Sequence, residues 1–189
     1  MSNVHILVIE DKKALADLFT TWLNDEYTVD TAYSGEEALE LLDDTLNVVL
    51  LDRRLPERSG DTMLSEIRER ELDCRVTMIS AVTPDFDMLE MDFDTYLKKP
   101  ASEADLNAVV KRLLARTRYE DRLQDYFALV SKQATLQANV DVGSERQYQD
   151  LEAQIAEMEQ QLEGTLSEFS SGDFDSVFGA QFSDYPEFS

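Results

Sequence analysis

Four short strand-like runs in the first hundred residues each end on side chains that can do chemistry. VHILVI (4–9) leads into Glu10 and Asp11, NVVLL (47–51) into Asp52, RVTMI (75–79) into Ser80, and DTYL (94–97) into Lys98, Lys99 and Pro100. If these runs lie side by side in a parallel sheet, three carboxylates, a hydroxyl and an ammonium converge on one rim, where such sheets bind ligands. Three carboxylates held close together repel unless a cation sits between them. Hard oxygen donors with room for waters suit Mg2+. A carboxylate beside such an ion and a lysine can attack a phosphoryl group and become an aspartyl phosphate. Metal and ammonium then stabilise the charge on the transferring oxygens. Taken alone, Glu10 and Asp11 are better explained as an acidic helix start at the positive end of the dipole. Asp52 is harder to dismiss, because a carboxylate behind an apolar run needs a compensating partner.

The elements that must position these groups alternate between two hydrophobic periods. Between the first two strands, Ala14, Leu15, Leu18, Phe19, Trp22 and Leu23 recur at helical spacing. YTVDTA (27–32) reads as a second strand, and Ser34 with Glu37 forms a capping box for a helix through Ala38, Leu41 and Leu42. LPERSG follows the third strand and leads to a helix near 60–70; RVTMIS (75–80) is the fourth strand and DTYL the fifth. Ser102 caps a helix carrying Leu106, Val109, Val110, Leu113 and Leu114. Strands alternating with helices imply a parallel sheet, here an α/β sandwich of five strands.

Composition sets further bounds. The chain has 189 residues, with 40 acidic side chains against 17 basic ones, for a formal charge of −23. Such a polyanion repels phosphate backbones and anionic lipid. No apolar run approaches the length of a membrane span, and the N-terminus lacks the layout of a signal peptide, so a cytoplasmic protein is expected. One cysteine (Cys74) excludes an intrachain disulfide, and one histidine (His5) excludes histidine-rich metal sites. Both are expected to be ordinary packed residues. The acid excess runs along the whole chain, which fits a surface adapted to concentrated salt. An acidic protein from an ordinary environment is the other explanation.

The motifs VHILVIED, NVVLLDRRLPERSG, VTMISA and DTYLKKP, in this order over residues 4–116, resemble the receiver domain of two-component response regulators. The resemblance implies the flavodoxin-like, CheY-like fold with strand order 2-1-3-4-5. It implies that Asp52 accepts a phosphoryl group from a sensor histidine kinase, that Glu10, Asp11 and Asp52 hold Mg2+ with the main-chain carbonyl of Arg54, and that Lys99 contacts the phosphoryl oxygens. Lys98 is then a surface charge. Ser80 swings toward the phosphate and Tyr96 follows inward; Ala81 leaves access for the phosphoryl group, and Arg54 and Val82 tune its lifetime. One departure stands out. Ser80 and Lys99 are closer in sequence than the family pattern leads one to expect, so PDFDMLEMDFD (84–94) has little room for a full fourth helix. A short or irregular turn is expected there, and the dimer face that many regulators build from that helix is not carried over.

From about residue 117 the strand pattern stops. Tyr119, Leu123, Tyr126 and Val130 step by helical intervals, as do Tyr148, Leu151, Ile155, Met158 and Leu162 beyond a turn at NVDVGS (139–144). Ser144 with Gln147 suggests a capping box for the second helix. A helical hairpin packing on itself and a dimer seam are both open. The stretches at 116–136 and 144–155 resemble the HalX-type segment that follows receivers in haloarchaeal regulators, which implies an archaeal source. The expected domains are therefore a receiver at 1–116, a HalX-like helical segment at 117–168 and a disordered acidic-aromatic tail at 169–189. For the output, a protein-interaction module, binding a partner or a second copy, fits best. A DNA-binding regulator is the alternative, against which stand a net charge of −11 over 117–189 and only Arg118, Arg122, Lys132 and Arg146 as cations. No constellation supports an enzyme.

Overall fold

The structure, a computed structural model, describes residues 4–83, 90–139 and 146–169. The chain divides into two units, Met1–Ala115 and Arg116–Ser189.

In the first unit the apolar runs become β1 (His5–Ile9), β2 (Thr28–Ala32), β3 (Val48–Asp52), β4 (Arg75–Ser80) and β5 (Thr95–Lys98). All pair in parallel, in the order β2-β1-β3-β4-β5. Helices α1 (Lys13–Leu23), α2 (Gly35–Leu41), α3 (Gly60–Glu69) and the start of α4 (Glu103–Asn139) complete it. Side chains alternate along each strand, and this alternation divides the core in two. Leu7, Ile9, Val49, Leu51, Val76 and Met78 pack with Ala38, Met63 and Ile67 of α2 and α3. Ile6, Val8, Val48, Leu50 and Ile79 pack with Phe19 and Leu23 of α1 and with Leu106, Val109, Val110 and Leu113 of α4. Both faces of the sheet are thus covered, which is why its strands read as nearly unbroken apolar runs. Strand order reverses at β1, so the carboxyl ends of β1 and β3 form the crevice where Glu10 and Asp52 emerge.

Helix starts follow the expected chemistry with one change. Ser34 Oγ accepts the Glu37 N–H at 3.2 Å, but the Glu37 carboxylate takes the Tyr33 N–H at 2.7 Å, one residue upstream of a regular capping box. Ser102 Oγ accepts from Asp105 N at 3.2 Å, and Asp105 returns bonds to the Ser102 N–H and hydroxyl. The link between β4 and β5, expected to be short or irregular, falls partly on 84–89, outside the described residues.

Helix α4 runs to Asn139, well past the last apolar residue assigned to the sheet, because no glycine or proline interrupts 102–139. In the second unit its later turns pair with α5 (Arg146–Phe169). Tyr126 donates to Glu159 Oε1 at 2.7 Å, and Gln137 Nε2 donates to the Tyr148 hydroxyl. Moving up α4 by a given number of residues moves down α5 by the same number, so the two helices are antiparallel. Tyr148, Ile155 and Leu162, seven residues apart, are buried along this seam. The turn and capping box expected at 139–144 and Ser144 lie outside the described residues, apart from Asn139, which closes α4. Phe169, expected to open the tail, instead closes α5; the rest of the tail lies outside the described residues.

Candidate functional site at the carboxyl edge of the sheet

Register brings the site residues together. Ile9 of β1 pairs with Leu51 of β3, so Glu10 and Asp52, the next residues on their strands, lie side by side. The nearest carboxylate oxygens of Glu10, Asp11 and Asp52 all lie within 4.8 Å of one another. Glu10 and Asp52 are buried, and Asp11 is more open to solvent. Ser80 of β4 pairs with Lys98 of β5, which delivers Lys99 to the same rim. Its Nζ donates to Asp52 Oδ2 at 2.9 Å and also to Glu10 Oε2. The Lys99–Pro100 peptide bond is cis. Lys98 is exposed and reaches Thr83 Oγ1 at 3.5 Å, in line with its assignment as a surface charge.

The remaining predicted residues fall around this cluster. The Arg54 N–H donates to Asp52 Oδ1 at 3.0 Å. Val82 is held from both sides: its N–H donates to Ser80 Oγ at 3.1 Å, and its carbonyl accepts from the Tyr96 hydroxyl. Ser80 is fully buried and Tyr96 nearly so, with its ring against Phe93. Ala81, which follows Ser80 in the chain, is exposed.

Electrostatics describe a site short of positive charge. Burial, above all, raises the Glu10 carboxyl above its ordinary value of 4.5; the Lys99 bond pulls it down and the neighbouring Asp52 charge pushes it up again. Burial alone would lower Lys99, but its bonds to Glu10 and Asp52 outweigh that and raise it. Among the described residues, the Lys99 ammonium bonds two of the three clustered carboxylates, Glu10 and Asp52. An all-carboxylate oxygen donor set with surplus negative charge fits Mg2+.

Sequence reading missed two features. Arg53 forms a fork to Asp61, with Nε to Oδ1 at 3.2 Å and Nη2 to Oδ2 at 3.4 Å. Gly60 approaches the backbone so closely that a Cβ there would stand 2.4 Å from the Asp52 carbonyl oxygen and 2.6 Å from Arg53 Cα. The DRRLPERSGD string contains both features, but only the fold reveals the closeness. His5 bridges Asp30 Oδ2 at 2.8 Å and Thr45 Oγ1 at 2.9 Å at the opposite edge of the sheet. Cys74 is buried, and burial raises its thiol. Of the four cations in 117–189, Arg118, Arg122 and Lys132 share a sector of ~80° on α4. Asp125 sits inside that sector and Asp121 on its edge, while Arg146 is on α5, so the described residues present no purely basic face. No helix of the described residues is long and apolar enough to cross a membrane.

Comparison with known proteins agrees with this fold. A family model described as the response regulator receiver domain matches residues 6–111, and one described as the HalX domain matches 115–178. A Haloferax volcanii protein, provisionally named a transcriptional regulator, is 54% identical over 132 residues, covering 69% of this chain and 23% of that protein. The response regulator SaeR of Staphylococcus epidermidis is 34% identical over 116 residues, covering 59% of this chain and 51% of SaeR. The chain therefore spans about a quarter of the first relative and about half of SaeR. Among solved structures, the BeF3-activated DrrB receiver domain is 30% identical with a TM-score of 0.55, over 59% of this chain and 97% of that one. A CheY-like receiver from Methanospirillum hungatei shares the fold at a TM-score of 0.58 and 23% identity, over 62% of this chain and 98% of that one. The haloarchaeal relative also accords with the acidic composition. With one model covering more than half of its length and the second beginning just beyond it, the chain belongs to the response regulator receiver family, its receiver domain followed by a HalX domain.

Proposed function

We propose that this two-component response regulator works in the cytoplasm as a phosphoryl acceptor, taking the group on Asp52 from a phosphohistidine of a sensor histidine kinase. The observation that carries this reading is the Lys99 ammonium held between Glu10 and Asp52, with Asp11 completing the carboxylate cluster. An Asp52 carboxylate oxygen attacks phosphorus and forms the new P–O bond; the P–N bond breaks, and its electron pair returns to the imidazole of the kinase. Glu10, Asp11, Asp52 and the main-chain carbonyl of Arg54 would hold Mg2+, which when bound supplies positive charge to the phosphoryl oxygens. Lys99 already touches Asp52 and follows the negative charge outward onto the phosphoryl group.

The switch starts from the grip on Val82. Ser80 gives up the Val82 N–H to reach a phosphoryl oxygen, and Tyr96, bonded to the Val82 carbonyl, moves with that segment. Ala81 leaves the approach clear, and Arg54 and Val82 flank it and set the lifetime of the acyl phosphate. The division into a receiver at 1–116, a helical output at 117–168 and a tail at 169–189 belongs to the same reading. A net charge of −11 over 117–189, without a purely basic face among its described residues, favours a protein partner or a second copy as the target over nucleic acid.

The test is labelling of the full chain with acetyl phosphate and MgCl2, read by intact mass. Wild type gains one phosphoryl group, chelation of Mg2+ suppresses the gain, and Asp52→Ala gains none. Mg2+-dependent labelling that persists in Asp52→Ala overturns the assignment.

A further inference from the structure

The loop that follows Asp52 is closed at its neck twice. The Gly60 N–H donates to the Arg53 carbonyl at 2.9 Å, and the Arg53 guanidinium forks onto Asp61 in the first turn of α3. Only a glycine permits that approach, since a Cβ at 60 would overlap the Asp52 carbonyl and Arg53 Cα. Ser59 caps the same helix by accepting the Thr62 N–H at 3.2 Å, so Asp61 sits on an anchored turn. Within the loop, Glu57 takes a left-handed backbone with φ of 66°, a conformation that needs support from its surroundings. Arg54 lies just inside the neck, with its N–H on Asp52 Oδ1. Its carbonyl is the group assigned above to Mg2+.

We infer that Arg53 and Asp61 are positioning residues for the phosphoryl-acceptor site: their fork latches the β3–α3 loop so that the main chain of Arg54 faces Asp52 and the divalent cation. The inference rests on the reading of the site given under Proposed function. The Arg53 side chain is only 17% exposed, which limits the freedom the fork must overcome, and its two N–H groups match the two carboxylate oxygens in a fixed plane. Outer groups that aim metal ligands typically matter by roughly 10–100-fold in metal affinity.

Charge and latch make opposite predictions, which is what makes the idea testable. Taking a cation away from an acidic cluster strengthens Mg2+ binding through space. Losing a latch weakens it. Calorimetric titration of the full chain with MgCl2 at one fixed salt concentration therefore separates the two with Arg53→Met. The latch predicts binding at least ~10-fold weaker than wild type, with thermal stability little changed. Asp61→Asn is expected to weaken it likewise, and the exchanged pair Arg53→Asp with Asp61→Arg to recover part of the loss. Amide hydrogen exchange without metal gives a second readout. The Arg54 and Gly60 amides should exchange about tenfold faster in Arg53→Met, with those of β1 and β4 unchanged. Equal or tighter Mg2+ binding by Arg53→Met, or unchanged exchange at Arg54 and Gly60, overturns the latch. If wild type fails to bind Mg2+ saturably, the metal reading falls by itself, and the exchange measurement still decides whether the fork holds the loop.

Discussion

The two edges of the sheet carry ion clusters of different charge balance. At the carboxyl edge, Glu10, Asp11 and Asp52 cluster together, and the Lys99 ammonium bonds two of them, Glu10 and Asp52. At the amino edge, Asp94 receives Arg68 Nη2 at 3.0 Å, Arg75 Nη1 at 3.0 Å and the Val76 N–H at 2.8 Å. Arg68 also donates to the main-chain carbonyls of Cys74 and Asp92. The second cluster is closed by charge balance: Asp94 faces two cations and a main-chain donor, and the exposed Asp92 carboxylate, with Oδ2 3.4 Å from Arg68 Nε, matches the second cation. It ties the end of α3 to the starts of β4 and β5. The first cluster is open, with more negative charge than its lysine can neutralise. The difference in charge separates a clamp from a binding site.

The largest effect should come from breaking the closed cluster. Asp94→Ala leaves two half-buried guanidinium groups and a main-chain N–H without their shared acceptor, a loss of about 2–3 kcal/mol. Chemical denaturation of wild type and variant, each with and without MgCl2, measures it. Mg2+ should stabilise both by the same increment, because it binds the folded state at the other edge. A variant that loses its response to Mg2+ as well as its stability would show that the two edges are coupled, and the contrast between them would fail.

Much of the open edge was legible because its chemistry sits at strand ends. An apolar run announces a buried parallel strand, and the polar residues that follow it are forced onto the rim. Glu10, Asp11, Asp52, Ser80 and the Lys98–Lys99 pair could therefore be placed there in advance, while the choice of Lys99 over Lys98 rests on the resemblance to receiver domains. The closed cluster gave no such sign. Arg68 and Asp94 are 26 residues apart, on elements whose mutual position depends on the finished sheet, and an arginine near a helix end reads as a solvated charge. The Arg53–Asp61 fork was hidden for a related reason: eight residues of loop can fold many ways, and only Gly60 brings them back together. The length of α4 was missed because helical periodicity was read in segments, whereas the backbone stops only where a residue stops it.

A smaller effect sharpens the contrast through pH. The folded state raises Glu10 above 4.5, chiefly by burial, so it holds that proton more firmly than the unfolded chain does. Glu10 therefore favours folding most below pH 4.5, and that benefit declines as pH rises through the raised value, above which the ionised group is a constant cost. Glu10→Gln removes the cost. Without metal, the variant should be more stable than wild type above this window, and the gap should close toward pH 4.5. With MgCl2 the order should reverse, since a lost carboxylate ligand weakens the ion that stabilises the wild type. Urea denaturation across pH 4 to 7, with and without MgCl2, is the measurement; a variant less stable than wild type without metal would mean that the bond to Lys99 outweighs burial.

The smallest effect tests how far the open edge extends. Ser102 lies three residues beyond Lys99 and starts α4, its hydroxyl and N–H both bonded to Asp105. Those bonds lower the Asp105 carboxyl below its ordinary 3.8. Its contribution is therefore present above pH 3.8 and lost as pH falls through the lowered value, opposite in sign to Glu10. Ser102→Ala should cost about 1 kcal/mol, the usual worth of such a cap. Pro100 separates this cap from Lys99 and fixes its own φ, so the ammonium should stay on Asp52 when the cap is lost. Mg2+ affinity and acetyl phosphate labelling should then match wild type while stability falls. If Mg2+ affinity drops with stability, α4 helps to aim Lys99, and the open cluster reaches one element further than the strand ends that define it.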